Sequence, residues 1–169
     1  MADIKGGRPW RNDQDLYIGA RAIRLGPALS ASQVVPGIYR IPVVETYGNI
    51  YIYVREGRAL VIDTGIPGKQ QLVLDSLRSI GLRPSDVVGI VLTHFHIDHS
   101  GSADALRQAT GAKIYIHEAD APYLEGLQPP PLPPEAPREA RDAYRWFKPV
   151  KPDGLLKEGD VIEGLRVIH

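Results

Sequence analysis

Strand-like and helix-like segments alternate in the middle of the chain, and this pattern most constrains the fold. The strands are buried-looking apolar runs, and the helices are longer segments that end at glycine. In chain order they are a strand at 59–63, a helix at 67–82, a strand at 87–94, a helix at 100–111, a strand at 112–117 and a short helix at 118–126. Such strand–helix–strand units predict a sheet with helices packed against it.

The segments before this region extend the prediction. GIYRIPVV (37–44) is alternating and β-branched, and the two strands within 48–65 flank a turn at 56–57. These early strands look like hairpin partners, so the sequence predicts an α/β fold with a mixed sheet. Residues 1–33 are polar, rich in glycine and without a clear period, which favours an N-terminal extension ahead of a domain at 34–169.

Proline and glycine dominate the last third of the chain. LQPPPLPPEAP (127–137) predicts a stiff, extended loop, and REARDAYRWF (138–147) predicts a helix after it. The tail at 153–169 predicts short strands joined by glycine turns.

Composition narrows the chemistry. The 169 residues include no cysteine, which excludes disulfides and thiolate metal sites and leaves only His, Asp and Glu as metal ligands. The 20 basic and 20 acidic residues balance, so a small-molecule substrate is expected rather than a nucleic-acid or membrane partner. With no apolar run of signal-peptide or membrane-spanning length, a cytoplasmic location is the default expectation.

The segment LTHFHIDHSG (92–101) concentrates four potential metal ligands in six positions. In extended backbone His94 and His96 point the same way and can grip one ion, while Asp98 and His99 follow on a turn and can face a second ion. Imidazole and carboxylate suit zinc, iron or manganese. The alternative without a metal site is a run of surface histidines at the start of a helix, with Asp98, His99 or Ser100 as the N-cap.

At these residues the chain resembles the metallo-β-lactamase superfamily, whose signature is His-x-His-x-Asp-His after a strand. LVIDTG (60–65) is similar to the earlier aspartate-bearing strand end of that family, and the resemblance covers 37–169. It implies a four-layered αββα sandwich with two zinc ions, iron and manganese being the alternatives. It makes His94 and His96 ligands of the first ion, and Asp98 and His99 ligands of the second.

The same resemblance makes Asp63 a residue that braces the metal loop, although a plain turn-forming aspartate is an equal reading. It implies hydrolysis by metal-activated water of an ester, thioester, lactone or related bond, as in the glyoxalase II-like members, with Asp98 orienting the water or taking up a proton. The alternatives are a nuclease or phosphodiesterase, an iron-dependent sulfur dioxygenase and a non-catalytic metal-binding module. Substrate, metal and oligomeric state stay open.

The C-terminus raises a separate expectation. Family members often continue from a strand such as GLRVIH (164–169) into Thr-Pro-Gly-His, so His169 is expected to be a strand-end histidine that precedes the third ligand of the first ion. We therefore expect the domain to be incomplete at its C-terminus, with the enzyme assignment describing the longer parent protein. His117 is expected to have an ordinary strand-end role, Trp146 and Phe147 to pack their helix, and Ser100 not to be a nucleophile.

Overall fold

The computed structural model describes residues 15–18, 21–24, 31–45, 48–135, 138–144 and 147–169. The strands are β1 (Asp15–Ile18), β2 (Arg21–Arg24), β3 (Ser32–Val35), β4 (Ile38–Val43), β5 (Gly48–Arg55), β6 (Arg58–Ile62), β7 (Val87–Leu92), β8 (Lys113–His117), β9 (Gly154–Leu156), β10 (Val161–Ile162) and β11 (Leu165–Arg166). The helices are α1 (Gln70–Ser79), α2 (Ile97–Ser100), α3 (Ala103–Thr110), α4 (Ala121–Leu124) and α5 (Arg138–Ala143), with a 3₁₀ turn at Pro84–Asp86.

Strands β3 to β9 form one seven-stranded sheet in which spatial order follows chain order. The pairs from β3 to β6 are antiparallel, and the pairs from β6 to β9 are parallel. Two residues with positive φ, Glu56 at 52° and Gly57 at 75°, make the turn between β5 and β6. The mixed α/β fold and the mixed sheet predicted from the sequence are therefore confirmed.

The core forms where helices cover the middle of this sheet. Ala59, Leu60 and Val61 of β6 are all buried, so both faces of that strand are covered, as its continuous apolar run predicted. Helix α1 contributes Val73 and Leu77, each completely buried. Burying one such side chain is worth about 1.5–3 kcal/mol relative to leaving it in water.

Helix α3 shows how the sequence sets an element's end. Its last residue is followed by Gly111, which has a φ of 74° and donates its N–H to the Arg107 carbonyl at 2.8 Å. Only glycine adopts this left-handed conformation without a steric cost, which is why the helix predicted at 100–111 ends there. The predicted helix does not begin at residue 100, because the short helix α2 ends there and α3 begins separately at Ala103.

Three short strands were not predicted. Strands β1 and β2 pair with each other in an antiparallel hairpin, and β3 pairs with β4 at the sheet edge. Each is only four residues long, too short for an alternating apolar pattern to register. The boundary between an extension at 1–33 and a domain at 34–169 stays a prediction, and Trp146 lies outside the described residues.

Parallel pairing of β6 and β7 brings the two candidate site segments together. Ile62 pairs with Val91, and the N–H of Asp63 donates to the Val91 carbonyl at 2.9 Å. The carboxyl ends of the two strands therefore lie side by side, at the edge where α/β sheets place their sites. In the part of the chain that the structure describes, no helix has the length and apolar character needed to cross a membrane.

Candidate functional site

Asp63 occupies the first position after β6 in an unusual backbone conformation. Its φ is 60°, and its relative exposure is only 5%. Left-handed backbone costs a non-glycine residue about 1–2 kcal/mol, and aspartate is among the few side chains that tolerate it. This conformation accompanies a carboxylate that points at the next strand end.

The Asp63 carboxylate accepts hydrogen bonds from two site residues. Thr93 donates its backbone N–H to Oδ1 at 2.8 Å and its hydroxyl to Oδ2 at 2.8 Å. The Nδ1 atom of His99 lies 2.8 Å from the same Oδ2. Asp63 thus ties the end of β7 to helix α2, and its role in bracing a metal loop stays a prediction.

These hydrogen bonds fix which nitrogen of each ring is free. The Thr93 hydroxyl proton is directed at Asp63, so its oxygen accepts from Nδ1 of His94, which lies 3.0 Å away. His99 likewise donates from Nδ1. In the neutral tautomers that result, Nε2 of both rings carries a lone pair, which is the arrangement a metal-binding histidine needs.

The four predicted ligands, His94, His96, Asp98 and His99, lie together and are called the histidine cluster below. The ring centroids of His94 and His96 are 4.6 Å apart, those of His94 and His99 are 4.0 Å apart, and Nε2 of His99 is 3.6 Å from Asp98 Oδ2. Across the described ranges, however, no three His, Asp or Glu side chains are arranged to hold an ion. The residue types fit zinc, while the assignment of each ligand stays a prediction.

His94 and His99, whose Nδ1 atoms are hydrogen-bonded to Thr93 and Asp63, differ in their affinity for protons. Burial, and then the neighbouring His99 and His96, lower the pKa of His94 below its usual 6.5. The hydrogen bond that His99 donates to Asp63 raises the pKa of His99 above 6.5, against the opposing effect of burial. His94 is therefore neutral at neutral pH. His99 holds its proton more tightly, and a metal ion must displace that proton in order to bind.

Sequence reasoning missed Thr64 and Ser102, which hold α2 against the loop after β6. Thr64 donates both its N–H and its hydroxyl to the His99 carbonyl, at 2.6 and 2.8 Å. Ser102 donates its N–H to the Thr64 hydroxyl at 3.2 Å and its own hydroxyl to the Ile66 carbonyl at 2.7 Å. The sequence feature that could have pointed to this contact is the polar pair Asp63 and Thr64, which directly follows β6.

Two other singled-out residues, Ser100 and His117, lie where their ordinary roles place them, whereas the expectation that His169 ends a strand is wrong, because the last strand, β11, already ends at Arg166. Ser100 is buried and donates its hydroxyl to the Phe95 carbonyl at 2.7 Å, a structural bond at the start of α2. His117 ends β8, and its Nδ1 accepts the N–H of Ala119 at 3.3 Å. The rings of His117 and His169 stack at 3.5 Å. The predicted strand-end role of His117 fits these contacts.

Comparison with known proteins identifies the family. Residues 43–169 match the model of the metallo-beta-lactamase superfamily. The chain belongs to the metallo-β-lactamase superfamily. A solved β-lactamase from Chitinophaga pinensis has the same fold as this superfamily member, with a TM-score of 0.65 and 25% identity, covering 89% of this chain and 53% of that one.

Two curated relatives of this metallo-β-lactamase-fold chain have described activities. Over 70 residues it is 42% identical to a hydroxyacylglutathione hydrolase of Albidiferax ferrireducens, covering 41% of this chain and 25% of the relative. Over 134 residues it is 35% identical to the acyl-coenzyme A thioesterase MBLAC2 of Gallus gallus, covering 68% of this chain and 44% of the relative. The chain thus spans less than half the length of either relative.

Proposed function

We propose that the full-length protein is a metal-dependent hydrolase that cleaves an ester, thioester, lactone or related bond in a small molecule. The observation that carries this proposal is the network centred on Asp63, which holds His99 directly and His94 through Thr93. An aspartate that only stabilises a turn is not expected to determine which ring nitrogen stays free in two neighbouring histidines.

The histidine cluster offers ligands for two ions. In the proposal His94 and His96 hold one ion, and Asp98 and His99 hold the other. Zinc fits this set of imidazole and carboxylate donors, and iron and manganese are the alternatives. A bound ion of this kind supplies a Lewis acid that polarises a carbonyl oxygen and lowers the pKa of water.

Asp98 is the proposed proton acceptor. Its side chain is 38% exposed, so it can reach a substrate, and its carboxylate lies 3.6 Å from Nε2 of His99. Asp98 lies in the first turn of α2, between His96 and His99. The backbone N–H of His99 donates to the His96 carbonyl at 2.9 Å, and this hydrogen bond holds the turn. A carboxylate placed this way can orient water and take its proton.

The substrate class rests on the two curated relatives, both named for thioester or hydroxyacyl-glutathione hydrolysis. The formal net charge of zero adds a physical argument, because a nuclease gains much of its affinity from a surplus of basic residues around its site. Hydrolysis of a thioester is therefore favoured over hydrolysis of a phosphodiester.

The test is a substrate panel on the zinc-loaded full-length protein, with N-acetylcysteamine hexanoyl thioester, a lactone and bis(p-nitrophenyl) phosphate. We expect thioester or lactone turnover that falls at least about 100-fold in Asp98→Asn, a loss typical of a general base. Asp75→Asn is the matched control, since Asp75 is an exposed partner of Arg78 on α1. Turnover of the phosphate alone, or equal turnover by wild type and Asp98→Asn, would contradict the proposal.

A further inference from the structure

A cavity of about 400 Å³ lies next to the histidine cluster. It is called the aromatic pocket here. The side chains that define it are Phe95, Tyr123, Leu127, Tyr144, Phe147 and Pro149. None of its described lining residues is charged, and a cavity of this size and lining is typical of a site for the apolar part of a small molecule.

Phe95 joins the pocket to the cluster because it stands between two of the predicted ligands. Its ring meets that of His96 edge-on, with centroids 4.7 Å apart, and stacks on Tyr123 at 4.8 Å. The backbone N–H of Phe95 donates to the Asp120 carboxylate at 3.2 Å, which links it to the start of α4. A group lying on Phe95 is therefore adjacent to His96.

Tyr144 places the opposite wall near the proposed proton acceptor. Its ring centroid is 6.3 Å from that of Phe95 and 6.3 Å from that of Phe147. Burial, and then the negative charge of Asp98, raise the pKa of the Tyr144 phenol. The Tyr144 ring thus joins Phe95 and Phe147 in one wall of the pocket.

Closely packed glycine and proline backbone forms one side of the pocket. Gly126 has a φ of 68°, and a Cβ at this position would lie 2.8 Å from Cγ of Pro149. Two further prolines, Pro129 and Pro130, continue the wall after Leu127. Proline-rich backbone loses little conformational freedom on binding, which favours a pocket formed in advance.

We propose that the aromatic pocket binds the apolar acyl group of the substrate and selects substrates by acyl-chain length. This inference rests on the proposed hydrolase function, and it adds the part of the substrate that lies beyond the reacting bond. An acyl chain fits better than a phosphate or a charged peptide side chain, because the described lining offers aromatic faces, proline rings and Leu127, with Gln128 as a neutral polar residue and no charged partner. Leu127 is 73% exposed, which leaves apolar surface uncovered for such a ligand.

The kinetic test measures kcat/KM of the zinc-loaded full-length protein for acetyl, butyryl, hexanoyl and octanoyl thioesters of N-acetylcysteamine. We expect a rise of about threefold for each methylene until the pocket is full, as expected for burial of a CH₂ group. Leu127→Asp puts a charge on the rim of the pocket and should flatten this dependence on chain length. Leu155→Asp is the matched control, since Leu155 is 53% exposed on β9 and outside the pocket.

A binding test separates the two proposals. In the metal-free full-length protein, hexanamide should shift the methyl resonances of Leu127, while acetamide should not, and Leu127→Asp should weaken hexanamide binding about tenfold. Shifts from hexanamide with no hydrolysis of any thioester, ester or lactone would support the pocket and overturn the hydrolase function. Thioester hydrolysis with equal kcat/KM for all chain lengths, or with a chain-length dependence unaltered by Leu127→Asp, would overturn the pocket and leave the hydrolase standing.

Discussion

Oδ2 of Asp63 accepts a hydrogen bond from Nδ1 of His99 at 2.8 Å, although 36 residues separate the two in the chain. The contact exists because β6 and β7 are parallel neighbours, so that the residue after one strand faces the segment after the other. It holds the His99 ring with Nε2 turned away from Asp63 and 3.6 Å from Asp98.

Asp63→Asn should weaken zinc binding by about 10- to 100-fold, the usual effect of losing the partner that orients a metal-binding histidine. Asparagine keeps the size of the side chain and tolerates a positive φ, so the fold should survive. Isothermal titration of zinc into the full-length protein measures the change, with circular dichroism to check folding. An unchanged zinc affinity in folded Asp63→Asn would show that this hydrogen bond does not position His99.

The pKa of His99 in the metal-free protein should lie above 6.5 and should fall in Asp63→Asn, because the hydrogen bond that His99 donates to Asp63 is the main cause of the rise. A raised folded-state pKa means that His99 stabilises the fold fully below pH 6.5 and that this contribution is lost as pH rises through the raised value. Titration followed by NMR gives the pKa, and urea unfolding at several pH values gives the stability. A wild-type pKa at or below that of the variant would contradict the assignment.

Thr93→Val should reduce zinc affinity about fivefold, the equivalent of one neutral hydrogen bond. Valine keeps the shape of threonine but leaves Nδ1 of His94 without its acceptor, while the Thr93 backbone N–H still reaches Asp63. Thr110→Val is the control, since the Thr110 hydroxyl bonds the Leu106 carbonyl at 2.7 Å on α3. If both variants changed zinc affinity equally, the hydroxyl of Thr93 would have no specific role.

Gly101→Ala should destabilise the protein by about 1–3 kcal/mol, the usual cost of overpacking, and should weaken zinc binding. A Cβ at this position would lie 2.5 Å from the backbone nitrogen of Pro67 and against the Ile97 carbonyl, so α2 must move away from the loop after β6. Chemical denaturation and zinc titration measure the two effects. Gly57→Ala is the control, because its cost comes only from a φ of 75° with open space around it, and zinc affinity should not change.

The elements that apolar patterns specify were predictable. The runs that became β6 and β7 are buried strands, and the helix between them ends beside Gly81, which has a φ of 83°. The crowding of His94, His96, Asp98 and His99 in one short segment predicted that these side chains lie together, because neighbours in sequence are neighbours in space whatever the fold. That they bind a metal stays a prediction. Local periodicity and local chemistry therefore carried most of the prediction.

The contacts that depend on the fold were not predictable. Thr93 is an unremarkable strand-end residue in sequence, and its role appears only when parallel pairing puts it beside Asp63. Phe95 meets Tyr123 and Tyr144 across 28 and 49 residues, and no short-range pattern links them. Long-range pairs of this kind are set by how strands and helices pack, which a single sequence does not state.

The proposed metal site can be tested most directly by zinc titration of the full-length protein carrying either His96→Ala or His117→Ala. Both substitutions remove one imidazole, but only His96 belongs to the histidine cluster, while His117 stacks on His169 at the end of β8. We expect His96→Ala to lose at least about 100-fold in zinc affinity, as expected for removing a direct ligand when even the loss of a supporting residue costs 10- to 100-fold, and His117→Ala to bind as wild type does. Zinc binding that is unchanged in His96→Ala would contradict the proposal that this cluster is the metal site.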